Sequence, residues 1–212
     1  MGIKKIEKIY TLFDALKNCF LFHICLIFGS LAGGIILGIG PSLLSASEII
    51  KKDYHPFAIR EGLIKQFALS WKRNFKAGNQ LFLPLFLLTI FFYIDIKIIA
   101  ETPFAQQTWI LIALVIVQGL LWLMFSCLFP LYAFYNMSIK EGYKKCTSYL
   151  LYNPILAISI ILWGLLIKGL ATFIPATILF LIFGIWIQGN SILFYRSFEH
   201  NEKLIMDKPR LN

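Results

Sequence analysis

Few residues in this 212-residue chain have the type and spacing to do chemistry. Cys19 and His23 stand four apart, so a helix would put them on one face, with Cys25 nearby. A metal site needs three or four ligands. No acidic or histidine partner stands in any other apolar run, so His23 is read as a packing histidine and no metal or other cofactor is expected. Asp95 and Lys97 are polar groups near the end of an apolar run, where long side chains reach back to the interface. Gln118, in the middle of an apolar run, is the most deeply placed strongly polar side chain, and Gln188 and Asn190 lie towards the inner end of the last run. They are candidates for polar contacts within a helical bundle, to one another's helices or to a hydroxylated solute. There is no P-loop, no H-E-x-x-H and no nucleophile with a base at a useful spacing, so the expectation is a protein that is not an enzyme.

The elements around these residues are set by hydrophobicity. The composition is 58% hydrophobic and 15% charged, against about 45–50% and about 25% in soluble domains. Mean hydropathy is +0.74. Charges are absent from residues 18–47, 77–94, 102–139, 146–167 and 169–195. A span needs roughly 20 apolar residues, so the pattern predicts an all-α, polytopic helical membrane bundle. Five apolar segments are expected, the first broken or re-entrant, with amphipathic surface helices on the cytoplasmic side. The four cysteines form no C-x-x-C pair and act as small hydrophobes. The N-terminal lysines before an apolar run imitate a signal peptide, but the run is too long for one.

Along the chain, residues 1–17 read as an interfacial helix that feeds the first apolar segment, 18–45. That segment carries Gly29, Gly33, Gly34, Gly38, Gly40 and Pro41. Gly29/Gly33 and Gly34/Gly38 have the G-x-x-x-G spacing of close helix packing. The break is expected at Ile39-Gly40-Pro41-Ser42, with Pro41 opening a new helix. Residues 57–76 predict one amphipathic surface helix. Phe67, Trp71 and Phe75 form an aromatic keel, and Lys72, Arg73 and Lys76 lie on the opposite face or its flank. Spans follow at 78–99, 108–135, 154–168 and 175–194, then a cytoplasmic tail, 195–212. The fourth begins at Asn153-Pro154, a cap residue followed by proline.

The net charge of +9 fits the positive-inside rule, and no recognition motif suggests nucleic acid. With five full spans and an exterior N-terminus, 14 of the 20 Lys and Arg residues lie inside. With a re-entrant first segment and a cytoplasmic N-terminus, 18 do. Both place the C-terminus in the cytoplasm, and anionic lipid headgroups are the expected partner of the basic face.

These residues resemble the YesL family of bacterial membrane proteins of unknown function, over roughly residues 10–200. The resemblance rests on Ile39-Gly40-Pro41-Ser42, on Phe67, Trp71, Lys72, Asn74, Phe75 and Lys76, on Tyr93-Ile94-Asp95 and on Phe129-Pro130-Leu131. Phe134, Tyr135 and Asn136 stand where that family often carries charges, and Ile155 where it carries a basic residue. The resemblance implies a bacterial cytoplasmic-membrane protein, often encoded beside carbohydrate transport genes. It would be a non-enzymatic accessory or regulatory component of carbohydrate uptake, partnered by transporter permease subunits or by itself. The alternative is a small-solute transporter acting as an oligomer.

Overall fold

The computed structural model describes residues 2–52, 62–101, 107–135, 137–175 and 181–206, the backbone alone for 2–12, 107 and 201–206. Its helices are α1 (Gly2–Ala32), α2 (Ile36–Lys52), α3 (Leu63–Arg73), α4 (Phe75–Ala100), α5 (Gln107–Tyr135), α6 (Ile139–Tyr152), α7 (Pro154–Phe173) and α8 (Ile182–Met206). Among the described residues there is no strand, and the fold is an all-α bundle. Among the described residues four stretches are long and apolar enough to cross a membrane: Phe13–Ala32, Phe75–Ala100, Thr108–Tyr135 and Pro154–Phe173.

The interfacial segment and the first apolar segment as far as Ala32 are one continuous helix, α1. The chain then reverses at Gly33–Ile35, six residues before the expected break. Gly34 and Ile35 both take positive φ, 70° and 69°. The Ile35 amide donates to Ser30 O and the Gly34 amide to Leu31 O, the paired bonds of a Schellman turn with Gly34 at C′. Pro41 does not open a helix; it lies inside α2. Its place follows from packing. A Cβ on Gly78 would meet Pro41, and one on Gly40 would meet Gly78, so the α2 and α4 backbones touch there. The glycine pairs serve the hairpin itself: Gly33 abuts Gly38, and Gly38 abuts the Ser30 and Gly29 carbonyls.

Helix α2 is the centre of the bundle, with Leu44, Ala46 and Ile50 fully buried. It packs on α1, α3, α4, α5 and α8. The contacts along it form a ladder. Lys52 meets Gln66, Glu48 meets Ser70 and Asn74, and Ser42 meets Trp71. Gly40 then meets Gly78 and Phe82. Helix α4 continues for eighteen residues past Phe82, about 27 Å at 1.5 Å per residue. The tip of the hairpin therefore stops far short of α4's end. Beyond that level α4 exposes Leu87, Phe91, Ile94 and Ile98.

Two elements differ from expectation at the charged end. Residues 139–152, which carried no helix in the sequence reading, form α6. Ser138 and Glu141 make a reciprocal capping box, and the Ser138 hydrogen bonds hold the Glu141 carboxyl below its usual range. Tyr143 anchors α6 by donating to Leu81 O at 2.6 Å, and burial pushes its phenol up to about 12. Helix α7 starts at Pro154 and runs past Lys168 to Phe173, but Asn153 does not cap it; its amide donates back to Tyr149 O.

The fifth apolar segment appears as α8, whose described part starts at Ile182; residues 176–180 lie outside the described set. The helix does not stop at 194 but continues to Met206. Its residues in the expected tail include Tyr195 and Phe198, both fully buried. Tyr195 stacks with Phe134, Phe198 meets Phe134 at a tilt, and Phe198 also meets Tyr149 edge-on. Tyr195 donates to Ser47 O at 2.6 Å, tying α8 to α2.

Candidate functional site

Polar side chains converge at the base of the bundle, where α2 ends between α3 and the last turn of α5. Glu48, on the last turns of α2, is the hub. Its Oε2 accepts from Ser70 Oγ at 2.6 Å, Arg73 Nη2 at 2.6 Å and Asn74 Nδ2 at 2.7 Å. Ser70 and Asn74 are buried, while Arg73 is 70% exposed at its side chain. One turn on, Lys51 Nζ donates to the carbonyls of Ala133 at 3.0 Å and Phe134 at 2.8 Å. These belong to the last turn of α5, whose carbonyls lack helical partners and carry the negative end of the dipole. Lys51 also stands 5.5 Å over the Phe134 ring. Glu48, Lys51, Lys52, Gln66, Ser70 and Arg73 contribute to the lining of a groove of about 810 Å³.

The expected 57–76 helix is shorter and divided. Residues 57–61 fall outside the described set. Helix α3 ends at Arg73, and Asn74 both closes it and precedes α4, so Phe75 belongs to α4. The Asn74 amide is drawn to Glu48 and Ser70 Oγ, which fixes the chain at the junction. Phe67 and Trp71 of the keel point at the bundle, and Phe75 is exposed. Phe67 is buried, and it and Trp71 fill the space a Cβ on Gly29 would need. Trp71 Nε1 donates to Ser42 Oγ at 3.1 Å.

At 100° per residue, three strips run along α3. Leu63, Phe67 and Ser70 face the protein, continued by Asn74 at its end. Ile64, Ala68 and, past the junction, Phe75 are exposed and apolar. Lys65, Lys72 and Lys76 make an exposed basic strip, and Arg73 and Gln66 flank the groove on the side away from Ile64. Such a helix suits a lipid interface, with its apolar strip in the acyl region and its lysines at the headgroups. The expected result is slow amide exchange across 63–73 in nanodiscs. Lys72→Gln should weaken anionic-lipid binding in a salt-dependent way. Trp71→Ala should cost about 1–2 kcal/mol through lost contacts. Fast exchange throughout, alike in neutral and anionic lipid, would show a solvated linker.

The three polar candidates in the bundle do not form one site. Asn190 is fully buried, and its Nδ2 donates to Ser126 O at 2.7 Å. Gln188 is buried on another face of α8 and accepts from Cys19 Sγ at 3.5 Å. Gln118 is half-buried and eight residues up α5 from Ser126, about 12 Å away. His23 is buried; its Nδ1 accepts from the Phe183 amide at 3.3 Å in the first turn of α8, and its ring stacks on Phe183. That hydrogen bond satisfies one of the donors a helix start leaves open. Among the described residues no group of three His, Cys, Asp or Glu is placed to hold a metal ion.

Glu48 went unnoticed in the sequence. Its one signal was position: it is the first charge after thirty uncharged residues, and so sits where a buried helix first reaches polar surroundings.

The chain is by class a helical membrane protein, with four helices among the described residues long and apolar enough to span. The model of a family described as a protein of unknown function, DUF624, matches residues 19–96. Those residues run from α1 through the hairpin and α3 into α4, and so include Glu48, Ser70, Arg73 and Asn74. No curated protein and no solved structure matches the chain.

Proposed function

We propose that this is a non-enzymatic, multi-pass protein of the bacterial cytoplasmic membrane, of the YesL type, acting as an accessory or regulatory component of carbohydrate uptake. Its partners would be transporter permease subunits or further copies of itself. The observation that carries the reading is that the middle of the bundle is filled. Helix α2 packs among α1, α3, α4, α5 and α8, and its Ser42, Leu44, Ser45, Ala46, Ser47 and Ile50 are fully buried, whereas a transporter keeps its solute site between such helices. The family resemblance supplies the link to carbohydrate uptake. The alternative, a small-solute transporter working as an oligomer, is favoured by the discontinuity at Gly33–Ile35 and by the unpartnered buried oxygens of Gln118 and Asn190.

Mass spectrometry of what copurifies in mild detergent tests the first reading: permease subunits are expected. Solute uptake by proteoliposomes holding this chain alone would overturn it in favour of the second. In the proposed topology the α1–α2 hairpin enters and leaves on the cytoplasmic face. The backbone bonds of its turn are satisfied within the turn, as apolar surroundings demand. Reporter fusions at the N-terminus and after residues 78, 145 and 200 should therefore report cytoplasm, and those near 102 and 171 exterior. A cytoplasmic signal at 102, or an exterior N-terminus, would refute this arrangement.

A further inference from the structure

We propose that the groove at the base of the bundle binds a phosphate ester, with Arg73 and Lys52 taking its charge. The groove lies between the end of α2, α3 and the last turn of α5, and holds about 810 Å³. That lies within the range of small-ligand sites, roughly 300–1,000 Å³, and exceeds what a bare phosphate would fill. Three cations line it against one carboxylate. Their roles are distinct. Lys51 is committed to the α5 carbonyls and cancels the negative helix end that would repel an anion. Glu48 holds Arg73 through Nη2 alone, which orients a guanidinium that has five N–H donors to give. Lys52 gives one bond to Gln66 Oε1 at 3.0 Å, one of the three its ammonium can make.

Two cations from two helices match the several oxygens of a phosphate better than a single carboxylate group. The organic part would lie over Ile49, Leu69 and Tyr132, which also line the groove. Arg73 and Gln66 point away from the exposed apolar strip of α3, so the groove opens toward water at the edge of the interface. Two sources carry this chemistry: a soluble phosphate ester and the headgroup of an anionic phospholipid.

The test uses the full chain, with thermal unfolding and titration calorimetry as readouts. Soluble sn-glycerol 3-phosphate is added in phosphatidylcholine nanodiscs, and separately the nanodisc lipid is changed to phosphatidylglycerol. Stabilisation in at least one arm is expected, weakened about tenfold by Arg73→Gln and by Lys52→Gln, the loss of one charge-assisted bond each. Lys144→Gln, on exposed α6, should bind as the parent does, and glycerol should do nothing. A response to the soluble ester assigns a soluble ligand; a response to phosphatidylglycerol alone assigns a headgroup. Because Lys52 is exposed and, among the described residues, its ammonium bonds Gln66 on the surface, its variant reports binding even if Arg73→Gln folds poorly. No response in either arm, or a response undiminished in the Lys52→Gln and double variants, overturns the proposal.

Discussion

Gly40→Leu is expected to destabilise the protein by about 3 kcal/mol or more, the upper end of what overpacking costs. A Cβ at Gly40 would lie 2.7 Å from the Gly78 carbonyl carbon and 2.7 Å from Phe82 Cβ. One neighbour is backbone and the other the root of a side chain, so neither gives way by changing rotamer. Gly78→Leu should fail similarly, because its Cβ would meet Pro41 Cα at 2.6 Å. Gly119 and Gly169 have open space around them. Alanine there should be neutral or should stabilise by up to about 1 kcal/mol through helix propensity. Equilibrium unfolding in detergent measures all four. A Gly40→Leu midpoint equal to that of the parent would mean that α2 and α4 do not meet along this line.

Glu48→Ala should cost about 3 kcal/mol, since it strands buried donors on Ser70 and Asn74. The salt bridge to Arg73 contributes little of this, because Arg73 is 70% exposed. Arg73→Ala is therefore expected to cost under about 1 kcal/mol, and Glu48→Gln less than Glu48→Ala, since the amide oxygen still accepts. The order of the three variants is the test. If Arg73→Ala matched Glu48→Ala, the ion pair rather than the buried hydrogen bonds would hold α3 to α2.

The apolar runs foretold the long helices because spans are written in composition. The start of α7 at Pro154 was equally legible. Where side chains meet across the bundle, local sequence fell short. The reversal was expected at Gly40-Pro41, the strongest breaker in the run, but lies at Gly33–Ile35. Five glycines crowd that stretch, and which of them takes positive φ is decided by how α1 and α2 pack. Gly40 and Pro41 are needed instead to let α4 approach. Helix α6 carries a readable signal in Ser138 three residues before Glu141, the spacing of a capping box, but Lys140, Lys144 and Lys145 give its sequence the look of a charged connection. The Glu48 hub joins residues 22–26 positions apart, and no spacing rule reaches that far.

The Tyr195 bond to Ser47 spans 148 positions, and this gives assembly an order in time. Helix α8 is the last of the described helices to be synthesised, yet it supplies Phe194, Tyr195 and Phe198, among the largest fully buried side chains. Until it emerges, the flank of α2 that it will cover has no protein neighbour, and the His23 and Cys19 level of α1 waits for Phe183 and Gln188. Without α8 the bundle is an open clamp, its serine-rich inner helix lacking the Tyr195 bond and the cover of Phe194 and Phe198. Only when the last helix arrives does the clamp close, so this protein finishes its core after most of its chain has already entered the membrane.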